Sequence, residues 1–162
     1  MPISAQLFRD AMANLAAAVT VVTTDGPAGK NGLTASAVCS VSDTPPMILV
    51  CINHASQANQ AIKTNGKACI NICNIDQEDI CRHFAGMTDL SMDTRFQLDC
   101  WDTGHLDMPV LRGAIANLEG RVIDFKEVAT HTVFFIELED IQVTEGQPAL
   151  TYFARAFKSL TA

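Results

Sequence analysis

Apolar residues at Leu7, Phe8, Ala11, Met12 and Leu15 recur at three- and four-residue spacing, the period of one helical face, and Ser4 stands where an N-cap belongs. After it the period changes. Residues 19–24 are rich in β-branched side chains and read as a strand. The run DGPAGKNG that follows is turn chemistry. Residues 33–42 read as one second strand ended by Asp43-Thr44-Pro45-Pro46, and residues 47–53 as a third, expected to be central. Residues 56–64 suit a short helix with Ser56 at its cap, and residues 67–73 alternate as a strand does. Asp76 is placed to cap a helix running to about Phe84, with Ile75 and Ile80 at staple positions around it. Residues 86–108 form a long polar stretch with little period, containing Trp101; residues 114–124, 132–143 and 149–153 read as three more strands. This inventory, about six strands joined mostly by turns with two or three short helices, predicts a mainly β fold: an antiparallel barrel with peripheral helices rather than a doubly wound sheet.

At 162 residues the chain fits one domain with a single core, residues 1–162 throughout. A hydrophobic fraction of 48% against 18% charged is that of a globular protein. No apolar run approaches the roughly 20 residues of a membrane helix, and no basic segment precedes an apolar one at the N-terminus, so a cytoplasmic protein is expected. The net charge of -7 lacks the basic footprint of a nucleic-acid binder. The cysteines at 39, 51, 69, 73, 81 and 100 include no C-x-x-C pair and no zinc-finger spacing with histidine. They are expected to be reduced thiols serving as small hydrophobes, with no metal; Cys39, Cys51 and Cys69 lie in apolar, strand-like surroundings.

Few motifs carry chemistry by spacing alone. DGPAGKNG fails the phosphate-loop pattern, because Thr24 stands where the first glycine belongs and Asn31 follows Lys30. There is no G-x-G-x-x-G, so a Rossmann site is unsupported. Thr34-Ala35-Ser36-Ala37 is small and hydroxylic: it admits a planar ligand to the backbone, and it equally suits a tightly packed strand. Asn53 to Ser56 leads from a strand into a helix, where free N–H groups and the positive dipole end suit a phosphate; a plain serine cap explains the same residues. His131 precedes an apolar strand, and no serine or cysteine pairs with it by spacing.

Taken together, FRDAMANLAAAVTVVTTDGPAG, GLTASAVCSVSDTPPMILVCIN, NGKACINI, RHFAGMT, MDTRF, MPVLRGAIANLEG, THTVFFIELE and LTYFAR resemble the short-chain flavin reductases. The likeness runs from Phe8 to about Phe157 and is nearest to the subfamily of 4-hydroxyphenylacetate 3-monooxygenase reductase components. It implies a homodimer of six-stranded antiparallel split β-barrels. It implies a flavin, FAD or FMN, reduced by NADH or possibly NADPH and passed by diffusion to a partner aromatic-hydroxylating monooxygenase. By the same resemblance Thr34, Ala35, Ser36 and Ala37 would line the isoalloxazine. Cys51, Ile52, Asn53 and Ser56 would run from the ring edge to the ribityl phosphate. Phe84 and Ala85 would meet the phosphate or adenine side. His131, with Tyr152 nearby, would border the nicotinamide, and Arg9 would neighbour the nucleotide. The family usually carries glycine where Ala129 stands, and His54 is not typical of it and is assigned no role. Alternatives of other classes are a flavin-holding barrel without nicotinamide turnover and an FMN-dependent oxidase of its own substrate.

Overall fold

The computed structural model describes residues 1–161. Helix α1 (Ala5–Met12) opens the chain, with the Ser4 hydroxyl accepting from the Leu7 amide at 3.1 Å. Strands β1 (Ala17–Ala18), β2 (Thr20–Thr24), β3 (Asn31–Ala35), β4 (Val38–Asp43) and β5 (Pro46–Asn53) lead to α2 (Gln57–Asn65) and β6 (Lys67–Ile72). A 3₁₀ turn (Ile75–Gln77) precedes α3 (Glu78–Phe84) and α4 (Met92–Gln97). Strands β7 (Trp101–Thr103), β8 (Pro109–Leu111), β9 (Ala116–Val128), β10 (His131–Val143), β11 (Ala149–Phe153) and β12 (Ala156–Leu160) complete it. Among the described residues no helix is long and apolar enough to cross a membrane.

The main sheet is antiparallel, in the order β3-β2-β6-β9-β10-β5-β4. It has seven strands, not six, and it is not closed into a barrel. The expected single strand over residues 33–42 is two, and they lie at opposite edges of the sheet. Thr20 pairs with Ala35 on one edge, while the Cys51 amide bonds the Ala37 carbonyl at 3.0 Å on the other. The crossing is therefore made at Ser36. Two Cα steps span at most about 7.6 Å, so the sheet must curl until its edges meet there. Strand β5, expected to be central, is the neighbour of edge strand β4.

This curl creates two main cores, with a smaller cluster of Cys69, Leu106, Met108 and Val110 beside them. Val22, Ile48, Val50, Ile52, Ile70, Phe134 and Ile136 face inward, and α2 seats Ala58 and Ile62 among them. On the outer side Val19, Val21, Ile80, Cys81, Phe84 and Leu150 pack together, with Ile75, Phe96 and Trp101 against them. Strand β2 is buried along its whole length because successive side chains enter different cores. Phe134 has no exposed surface; truncating such a ring to alanine costs about 3–5 kcal/mol.

Several local expectations change. Asn74, not Asp76, is the cap: its side chain accepts from the Asp76 amide at 2.8 Å, and Gln77 Oε1 accepts from the Asn74 amide at 3.0 Å. The polar stretch over residues 86–108 holds α4 and β7, the latter pairing with β8. Strand β12 pairs with β11 beyond a turn whose Ala154 and Arg155 both have positive φ. All six cysteines are free; Cys69, Cys73 and Cys81 are buried as expected, but Cys39 is exposed on edge strand β4.

Candidate functional site

Side-chain alternation sorts the expected site residues by face. Ile52 is 1% exposed and belongs to the inner core, so it has only its backbone to offer. Cys51 and Asn53, one residue to either side, point the other way. In the β5–β10 ladder Asn53 is directly opposite His131, so these two side chains share that outer face. The Ala37 carbonyl, bonded to the Cys51 amide, brings the exposed Ser36 crossing to the same surface. Thr34 is turned away from it: its hydroxyl donates to the Cys81 carbonyl at 2.6 Å. The Ala35 carbonyl is likewise occupied, by Thr20 Oγ1 at 2.6 Å.

Next to this surface lies an open groove of about 400 Å³ holding Ser56, Phe84, Ala85, Leu33, Gly32 and Arg95. Ser56 is the N-cap of α2 by backbone geometry, yet its side chain makes no capping hydrogen bond. The first amides of a helix lack intrahelical carbonyl partners; the Asn59 amide bonds the Ser56 carbonyl at 3.0 Å, which leaves the Ser56 hydroxyl with the Gln57 and Ala58 amides as the donor set. Asn53 Oδ1 braces the approach by accepting from the Ala55 amide at 2.8 Å. The floor is Phe84, 3% exposed and set edge-on to Phe96 and Trp101 at 5.2 and 5.5 Å. Arg95 lies over its ring at 5.6 Å and is anchored by Nε on the Leu90 carbonyl at 3.0 Å. Gly32 is required here, because a Cβ would meet the Val22 carbonyl at 2.7 Å and the Phe84 ring at 2.9 Å. Arg95 escaped the reading of the sequence. Ser91, an N-cap three residues before Thr94 in SMDTRF, is the signal that could have placed it on a helix.

A second groove, of about 370 Å³, holds Arg9, Ser36, Tyr152, Phe8, Leu15 and Arg155. It does not include His131, so Tyr152 groups with Arg9 rather than with the histidine. Leu33 in one groove and Ser36 in the other are three residues apart, about 10 Å of extended chain. One short segment thus links both.

His131 is half-buried at the start of β10, with Nδ1 against Thr130 Oγ1 at 2.8 Å. The turn before it has Ala129 at φ 50°, the left-handed region that glycine occupies without strain. Behind it, Glu127 meets His54 Nε2, Lys63 Nζ and the Thr132 hydroxyl, the last at 2.8 Å. The Lys63 ammonium first, then Thr132 and His54, hold the Glu127 carboxyl down to about 2.

These parts fit a flavin nucleotide: free N–H and hydroxyl donors with a guanidinium suit a phosphate, and a flat strip of small side chains suits an isoalloxazine. The profile of the flavin reductase like domain matches residues 12–161. The 4-hydroxyphenylacetate 3-monooxygenase reductase component of Pseudomonas aeruginosa is 51% identical over 155 residues, 96% of this chain and 91% of that protein. The flavin reductase component of a bacterial two-component tryptophan halogenase superposes with a TM-score of 0.92 at 26% identity, over 98% of this chain and 99% of that one. An NADH:FAD oxidoreductase of Streptomyces globisporus, solved in complex with NAD and FAD fragments, gives a TM-score of 0.86 at 26% identity, covering 98% of this chain and 95% of that one.

Proposed function

The chain belongs to the flavin reductase like domain family, and from that premise we propose that it reduces a diffusible flavin for a separate aromatic-hydroxylating monooxygenase. What carries this reading is a ligand-ready groove at the uncapped start of α2 in a chain half identical to a named reductase component. The partner proposed is 4-hydroxyphenylacetate 3-monooxygenase; the flavin is FAD or FMN and the donor NADH, with NADPH the other choice. A bound flavin supplies the chemistry, accepting a hydride from the nicotinamide.

The protein's part is placement. Ser56, the first amides of α2 and Arg95 hold the phosphate. The backbone from Thr34 to Ala37, with Cys51 and Asn53, lines the ring. Phe84 and Ala85 form the wall beside the phosphate. His131 borders the nicotinamide opposite Asn53, and direct hydride transfer between the two cofactors, when bound, would need no acid–base pair from the protein. Tyr152 and Arg9 flank the second groove. The curled, open sheet, joined at Ser36, is a split form of the expected barrel. A homodimer supplies a further wall, because the apolar stripe of α1 and the bend after it has no cover in one chain: Leu7, Phe8 and Leu15 are 60%, 61% and 63% exposed.

The test is loss of NADH absorbance with FAD, FMN or neither added, repeated with NADPH. Flavin-dependent oxidation is expected, and reduced flavin should support hydroxylation when the oxygenase is supplied. Flavin binding without NADH or NADPH oxidation would instead identify a holding module.

A further inference from the structure

We propose that Glu127 is a positioning residue that locks the phosphate-binding and nicotinamide-facing parts of the site into one register. The proposal rests on the reading of this site as that of a flavin reductase. Three elements surround the named site residues: the β5–α2 loop between Asn53 and Ser56, helix α2, and the start of β10 with His131. The Glu127 carboxylate reaches each of them, α2 at its last turn. It meets His54 from the loop, Lys63 from α2 and the hydroxyl of Thr132, the residue directly opposite it in the β9–β10 ladder.

The ties continue inward. Asn59, 3% exposed in the first turn of α2, donates to Thr132 Oγ1 at 2.9 Å and to the Ile52 carbonyl at 3.0 Å. The His54 amide bonds the Thr130 carbonyl at 3.0 Å. His131 is flanked on both sides by tethered residues, and so is Ser56. Glu127 touches neither, and its side chain is half exposed. Exposed ion pairs add little to global stability. A hub of three partners on three elements therefore acts mainly on their relative geometry. His54, which the resemblance left without a role, is the loop's handle in this arrangement.

The experiment compares Glu127→Ala and Glu127→Gln with the parent in stopped-flow flavin reduction at saturating FMN and NADH. Hydrogen exchange of residues 53–57 and 128–132 and melting temperature are measured in parallel. Glu127→Ala is expected to lower kcat about tenfold and to raise the KM for flavin. Amide exchange should quicken in both segments together, with the melting temperature nearly unchanged. Glu127→Gln keeps an acceptor for Thr132 and should recover part of kcat. Unchanged kcat and exchange in Glu127→Ala, or a loss that only follows a fallen melting temperature, would overturn the proposal. A parent with no flavin-dependent NADH oxidation defeats the functional reading instead, and the exchange data then decide alone whether Glu127 couples the two segments.

Discussion

The two grooves joined by the segment from Leu33 to Ser36 are built in opposite ways. The one beside α2 grows out of the core: its floor, Phe84, is buried among aromatic rings, and Gly32 leaves no space between that ring and β2. The one beside α1 rests on a helix with no buried residue, held by the Asp10–Arg155 ion pair and a bond from the Ala154 amide to the Ala13 carbonyl at 2.8 Å. Covering one large apolar side chain is worth about 1.5–3 kcal/mol, and the α1 stripe presents several. The first groove is thus a property of one chain, and the second is proposed to be completed by assembly.

Four substitutions probe this contrast. The largest effect is expected at His131, which belongs to neither groove, is paired with Asn53 and is proposed to border the nicotinamide. His131→Ala should slow flavin reduction or raise the KM for NADH, by about 100-fold for a misplaced near-attack pair, while flavin affinity holds. Stopped-flow traces with parental rate and NADH dependence would defeat that assignment. Ser56→Ala tests the first groove. Losing a hydrogen bond to a charged phosphate costs about 1.5–3 kcal/mol, so FMN affinity should drop about tenfold or more in a titration. Riboflavin, lacking the phosphate, should hardly respond; equal losses for both would contradict a phosphate contact.

Phe8→Asp addresses the second groove. An interface anchor is worth about 2 kcal/mol or more, so self-association should weaken roughly 30-fold by light scattering, with FMN affinity preserved. A parent already monomeric at micromolar concentration removes the basis for this contrast. The smallest effect belongs to Ala129→Gly. Left-handed backbone costs a non-glycine residue about 1–2 kcal/mol, and glycine's extra unfolded-state freedom returns about 0.5–1. A melting temperature higher by about 2–4 °C is expected; a fall would show that the turn gains more from the alanine methyl than it loses in strain.

Much of the fold was legible where period and burial agree. Strands β2, β6 and β10, the α1 cap and the helix after Ser56 all appear close to where alternation and spacing put them. Residues 33–42 misled because small and apolar residues run straight through the crossing, from Leu33 and Ala35 to Ala37, Val38, Cys39 and Val41, and no glycine or proline marks it. The β11–β12 turn is silent for a similar reason: Ala154 and Arg155 adopt positive φ without the residues that favour it. Helix α4 is too short for a helical period to show.

Of the candidate site, the strand end at Asn53 and the helix start at Ser56 have a local signal in the sequence, whereas residues held by tertiary contact have little. Arg95 is one such residue. Glu119 is another: fully buried, it accepts from the His105 and Leu106 amides at 2.9 Å each and pins the loop between β7 and β8. Asn71 is a third. It accepts from the Leu111 amide at 2.8 Å and donates to the Val21 carbonyl at 2.8 Å, fastening the same hairpin to the sheet. A polar residue inside a strand looks the same in sequence whether it meets water or a buried amide.

The crossing at Ser36 has a consequence for traffic. A site enclosed by the sheet would admit a flat ring only if a segment swung aside, and each exchange would wait for that motion. Here the inner face is filled by side chains such as Phe134, and the ring proposed to lie against Ser36, Cys51 and Asn53 docks from outside. A ring that arrives over an open face leaves by the same path, and its residence time follows from how tightly it is held. For a carrier that must be loaded and emptied once per cycle, such a berth makes throughput adjustable by single contacts along its rim.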